Sequence, residues 1–256
     1  MLVMETDKWL LETYEDPIAL CKKTMDYFDD VSPSEIYHHL VLHGMYRMPS
    51  DNGREVIQKM QDNRVWSIVK KEALKLQLLW NGPNIPIFIF PSDANNRDMK
   101  QNFNGKSGLA FRNKLFLFIS EANTEKEIKA LFTHEYNHIC RLAHFSKDEK
   151  DYVLLDTIIL EGLAESSVKE SLGEDYTAKW TSYYTSGELE HMWTKMVFPY
   201  KDLPQNHPKH WDILYGLRFY PKMLGYCSGY YLIQKYMEAN HLTTKDLLGT
   251  SSDKMI

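Results

Sequence analysis

Residues 124–144 read TEKEIKALFTHEYNHICRLAH. Thr124 and Glu127 have the spacing of a capping box, in which the hydroxyl and the carboxylate reciprocally satisfy the first free N–H groups, and this fixes where a helix starts. Ile128, Leu131, Phe132, Ile139 and Leu142 then recur at helical spacing, which predicts an amphipathic helix from about 125 to 144. Near its middle stands His134-Glu135-Tyr136-Asn137-His138, an H-E-x-x-H pentad. Side chains four apart share one helix face, so both imidazoles can ligate one metal ion while Glu135 stands beside the open coordination position. That arrangement suits a zinc hydrolase.

A catalytic zinc site takes three protein ligands and leaves a fourth position to water. Two downstream residues compete for the third place. His144 lies six residues after His138, the spacing of H-E-x-x-H-x-x-G-x-x-H, but Arg141 stands where that pattern needs a helix-breaking glycine. A helix that continues turns His144 away from His138, and a cation at the helix end also suits the macrodipole. Glu161, 23 residues after His138, is the stronger candidate. It sits in a segment so apolar from Val153 to Ala164 that the helix must be buried on most sides, with Leu154, Ile158, Glu161 and Glu165 on one face. Buried carboxylates are costly unless one binds a metal and the other accepts a hydrogen bond from a ligating histidine. The alternative is a polar, water-filled groove without metal.

Zinc lowers the pKa of bound water to about 7 and polarises a carbonyl, and Glu135 is placed to accept the water proton and pass it to a leaving amine. No G-x-S-x-G elbow offers a serine nucleophile in its place.

Elsewhere the pattern is mainly helical. Pro17 and Ser32-Pro33-Ser34-Glu35 open two N-terminal helices, and a longer helical region runs from Glu55 to Trp80 and stops at Asn81-Gly82-Pro83, the expected boundary between a helical region 1–82 and a second region 83–256. Ile85 to Phe90 is a continuous apolar run, read as a buried strand, and Gly108–Phe111 and Leu115–Ile119 flank the turn Arg112-Asn113-Lys114 as a hairpin. The ligand-bearing helix spans 151–172, and one further amphipathic helix is expected over Tyr176 to Lys195. A proline-interrupted connection from Phe198 to His210 has the length of a lid. His39 and His43 are also four apart but lack the pentad's Glu, and read as a solvated or core-edge pair.

The chain has 256 residues, 43% of them hydrophobic, and a net charge of −5, which fits a globular domain without the basic footprint of a nucleic-acid or anionic-membrane binder. No apolar run approaches a membrane span, and no signal peptide is recognisable. Cys21, Cys140 and Cys227 form no C-x-x-C, so reduced thiols and a cytoplasmic location are expected.

H-E-Y-N-H followed by the helix E-G-L-A-E resembles the YjaZ-like family of predicted zinc-dependent proteases, itself similar to gluzincins, over roughly residues 84 to 240. The resemblance implies an α+β, zincin-like fold, predominantly helical with a small mixed or antiparallel sheet ahead of the active-site helix. It implies a zinc metallopeptidase with one Zn2+ held by His134, His138 and Glu161, Glu135 as general base, and Glu165, where gluzincins more often have Asp, behind the ligands. Related enzymes take an oxyanion donor from a later helix. Here Gly225–Leu232 opens one, with Tyr226 as first choice, then Tyr230 and His210. In zincins an edge strand pairs with the extended peptide, which makes Gly108, Leu109, Ala110 and Phe111 the expected substrate rim, the alternative being a hairpin that only covers the core. The expected partner is a peptide or protein substrate, and the alternative is an inactive, chaperone-like peptide-binding module.

Overall fold

Four strands form one sheet in the order β1-β2-β4-β3: β1 (Leu2–Val3), β2 (Pro86–Pro91), β3 (Ser107–Phe111) and β4 (Lys114–Ile119). The computed structural model describes residues 2–256. β1 and β4 run parallel to β2, whereas β3 is antiparallel to β4 and lies at the sheet edge. β2 and β4 are buried almost throughout, as continuous apolar runs require. Period-two alternation sends Phe88, Phe90, Phe116 and Phe118 to one face, where they join Leu10, Leu20, Ile36 and Leu40, with Leu109 and Phe111 against the same cluster. Ile87, Ile89, Leu115 and Leu117 are buried on the other face, and Gly108, paired with Leu117, shares it. The hairpin is as the sequence suggests, except that Lys114 belongs to the strand. Its ammonium lies over the Phe28 and Phe111 rings at 4.4 and 4.3 Å, a cation–π arrangement that lets a lysine start a buried strand.

The helices are α1 (Thr6–Thr13), α2 (Pro17–Lys22), α3 (Pro33–Leu42), α4 (Gly53–Asp62), α5 (Val65–Trp80), α6 (Arg97–Phe103), α7 (Glu125–His144), α8 (Leu154–Leu172), α9 (Ser186–Met192), α10 (Pro208–Tyr215), α11 (Leu224–Asn240) and α12 (Thr244–Leu247). The predominantly helical α+β fold with a small mixed sheet is therefore present. The Ser32–Glu35 capping box and Pro33 open α3, and Asp16 with Pro17 opens α2. Where one helical region is expected between Glu55 and Trp80, α4 and α5 are separated at Arg64, whose φ of 56° is left-handed and stops the i→i−4 ladder. The single helix expected over Tyr176–Lys195 is replaced by two 3₁₀ turns, then α9 and one π-helical turn at Trp193–Val197. Thr185 caps a new helix there, its hydroxyl and the Glu188 carboxylate forming a capping box that restarts the ladder.

The chain divides into two compact units, Met1–Tyr136 and Asn137–Ile256. In the first, Tyr136 stacks on Phe132 and Trp80 and donates to the Pro83 carbonyl at 3.0 Å, which anchors the middle of α7. In the second, α8 and α11 cross in backbone contact. A Cβ on Gly162 would lie 2.3 Å from the Gly229 carbonyl, and one on Gly229 would lie 2.0 Å from the Ile158 oxygen. Only glycine permits that approach. Among the described residues no helix is long and apolar enough to cross a membrane.

Candidate metal centre

α7 forms from its own local signals. Thr124 and Glu127 bond reciprocally, the Thr124 N–H donating to the Glu127 carboxylate at 2.7 Å and the Glu127 N–H to the Thr124 hydroxyl at 3.4 Å. The helix continues unbroken through Arg141 to His144, which is exposed at its end. α8 is apolar on nearly all sides: Leu154 and Ile158 belong to one buried cluster, and Leu155, Ile159 and Leu163 to another. Glu161 is half-buried on this helix.

His134, His138 and Glu161 each offer one ligand atom, and the three atoms lie within 4.8 Å of one another. Among the described residues this is the group of His, Cys, Asp and Glu side chains close enough to share an ion, and His144 is outside it. His138 Nε2 and Glu161 Oε2 are 3.7 Å apart. That is too long for a hydrogen bond. It is close to the edge of a tetrahedron with metal–ligand bonds of about 2.0–2.1 Å, which is about 3.3 Å. Two imidazoles and a carboxylate are also the donor set of a hydrolytic zinc site. The residues fit the ion.

The end of α7 and the start of α8 are held by a buried network. Arg141 is 1% exposed. Its Nη1 donates to the carbonyls of Leu247, Leu248 and Thr250 at 3.0, 2.9 and 2.6 Å, and its guanidinium lies 3.9 Å from the centre of the Phe145 ring. Nη2 reaches the Ser252 hydroxyl at 3.3 Å, which in turn donates to Asp156 at 2.7 Å. Asp156 also accepts from Lys147 at 2.6 Å and from the Val153 N–H at 3.0 Å, closing the first turn of α8. Burial lowers the Arg141 pKa to about 10, partly offset by Tyr152 and Asp156, and leaves it cationic at neutral pH.

Glu165, one turn beyond Glu161, is buried and accepts a hydrogen bond from the Ala178 N–H. Tyr226 is half-buried in α11, its ring 5.3 Å from Trp180 and 5.7 Å from Tyr215. Tyr215, which sequence reasoning passed over, hydrogen-bonds with Tyr226. Desolvation raises its pKa, the bond to Tyr226 lowers it, and the Glu161 charge raises it further. Tyr215 therefore stands within the field of the Glu161 carboxylate. Tyr230 instead packs on Trp180 and pairs with Lys169. Nothing local marks Tyr215 among sixteen tyrosines; the signal is tertiary.

His210 in α10 is fully buried, and its Nδ1 contacts the Leu203 carbonyl at 3.2 Å. Its pKa is lowered from the ordinary 6.5, first by desolvation, against a rise from the Leu203 and Pro204 backbone. A histidine held neutral when folded but free to protonate when unfolded stabilises the protein fully above pH 6.5, and the contribution is lost as pH falls from there to the folded pKa. His210→Gln should flatten thermal stability against pH below 6.5, measured by circular dichroism melts. An unchanged pH slope would contradict it.

The sequence model of a family described as predicted Zn-dependent protease (DUF2268) matches residues 65–256. Uncharacterized protein YjaZ of Bacillus subtilis (strain 168) is 39% identical over 221 residues, which is 86% of this chain and 84% of that protein. Uncharacterized protein YjfC of the same organism is 21% identical over 213 residues, 77% of this chain and 71% of its own length. No solved structure matches significantly. With most of its length matched by the family and a relative at this identity across nearly all of the chain, the protein belongs to the YjaZ-like DUF2268 family of predicted Zn-dependent proteases.

Proposed function

We propose that the protein is a zinc-dependent metallopeptidase of gluzincin type, binding one ion through His134, His138 and Glu161 and hydrolysing peptide bonds with Glu135 as general base. The observation that carries the reading is the convergence of two imidazoles and one carboxylate within 4.8 Å, with an acid directly following the first histidine. Bound zinc supplies Lewis acidity and makes water a good nucleophile near neutral pH. Glu135 takes the proton released by the attacking water and returns it to the departing amine nitrogen. Tyr226 donates to the oxygen on which negative charge develops. Its bond to Tyr215 supports this role, because it fixes the orientation of the phenol. Glu165 fixes the surroundings of Glu161 and is the proposed acceptor from a ligating histidine.

The substrate is an extended peptide or an unstructured protein. β3, the sheet edge, offers free backbone groups at Gly108–Phe111 for pairing with it, largely blind to sequence. Leu109 and Phe111 are turned to the core cluster, so they contribute through their backbone, while Gly108 lies on the other face. We place the enzyme in the cytoplasm, a reading supported by three buried free cysteines.

The test is metal content and turnover. Zinc-loaded protein should cleave an unfolded protein such as reduced casein and lose that activity to a chelator. Glu161→Ala should lose stoichiometric zinc by metal analysis, whereas His144→Ala should keep it; the reverse would move the third ligand to the end of α7. Casein bound by the zinc-loaded protein without cleavage would instead make it a binding module.

A further inference from the structure

Gly108 sits inside a β-strand, where glycine is disfavoured because it is the most costly residue to order and brings no side chain to pack. Its backbone does not explain it, since the glycines with left-handed φ are Gly44, Gly105, Gly173 and Gly216. What explains it is the neighbour. A Cβ built on Gly108 would lie 2.3 Å from Glu135 Cγ, 2.4 Å from Cδ and 2.6 Å from Oε1. The Glu135 side chain, 9% exposed, therefore lies flat against the edge strand across the position of the missing methyl group. On the same strand Leu109 and Phe111 fill the opposite face. Only Gly108 combines the face turned to Glu135 with the absence of a side chain at the point of contact.

We infer that Gly108 is the positioning residue for Glu135: its missing side chain sets where the carboxylate stands, and so marks the place along β3 where the scissile bond of a paired peptide must lie. The inference rests on the proposed peptidase activity for its consequence in turnover, but not for its geometry. An added methyl meets the Glu135 side chain from Cγ outward, not backbone, so the strand survives and Glu135 swings away. The three atoms nearest the built Cβ all belong to Glu135, so the methyl displaces that side chain first and the proposed ligands keep their places.

The experiment is Gly108→Ala, alone and combined with Glu135→Ala. In the single variant zinc content and the visible spectrum of the cobalt-substituted protein should match wild type. Against a fluorogenic peptide, kcat should fall ~10²-fold with little change in KM, the loss expected from displacing a reacting group by about 1 Å. In the Glu135→Ala background, where that space is free, the same alanine should leave the melting temperature unchanged or raise it. Wild-type kcat in the single variant overturns the inference, as does an equal loss of melting temperature in both backgrounds. If Gly108→Ala fails to fold but the double variant folds, the contact is confirmed; if both fail, it is refuted. Should the wild type prove inactive on all peptides, the peptidase reading falls, and the melting-temperature comparison still decides the role of Gly108.

Discussion

Glutamine in place of Glu135 is expected to leave zinc bound and to lower peptide hydrolysis by ~10²–10⁴-fold, the usual contribution of a general base. The amide has nearly the same size and shape, so the space against Gly108 stays filled, and no ligand atom is removed. On the proposed mechanism, what is lost is the carboxylate that holds a proton between its release from water and its delivery to the amine. Metal analysis and kcat on a fluorogenic peptide check both halves. Activity within tenfold of wild type would take Glu135 out of the reaction, and loss of zinc would make it a ligand.

The second large effect falls on a residue with no part in the chemistry. Arg141→Met keeps length and apolar bulk but removes the donors to the carbonyls of Leu247, Leu248 and Thr250. Carbonyls stranded in the interior cost about 1–3 kcal/mol apiece, and bonds from a charged donor are worth about 1.5–3 kcal/mol. Partial relaxation makes a net loss of about 3–5 kcal/mol reasonable for such a buried network. For a protein of this size that corresponds to a fall of about 10 °C in melting temperature. Arg141→Lys should recover only part, since one ammonium cannot reproduce a planar fork of five N–H donors. Thermal denaturation of the three proteins checks this, and a wild-type melting temperature for Arg141→Met would show that the C-terminal segment is held by other contacts.

The parts of this fold that the sequence declares are those built by local rules. α7 is legible from a capping box and an apolar repeat within 21 residues, and β2 and β4 are legible as uninterrupted apolar runs bounded by turns. Glu161 could be picked out because a carboxylate in an apolar helix demands compensation, and the structure places it beside His134 and His138. The same style of reading missed the break at Arg64, where a left-handed conformation falls on a residue that is not glycine and so carries no breaker signal in the sequence. It joined Tyr176 to Lys195 because the apolar rhythm continues across the restart at Thr185. It saw Arg141 only as the residue that keeps α7 straight, since its partners lie more than a hundred positions later in the chain. Tyr215 is invisible for the same reason: its meaning comes from Tyr226 and Glu161.

The crossing of α8 and α11 has a consequence for variation at this locus. Gly162 follows Glu161 directly, and Gly229 stands one turn beyond Tyr226 on the opposing helix, so the spacing between the proposed ligand and the proposed donor is dictated by two main chains touching. There is no interlocking layer of side chains at that point to repack around an intruding methyl. A saturation library selected for turnover should therefore be as intolerant at these two positions, which carry no functional group, as at the histidines themselves.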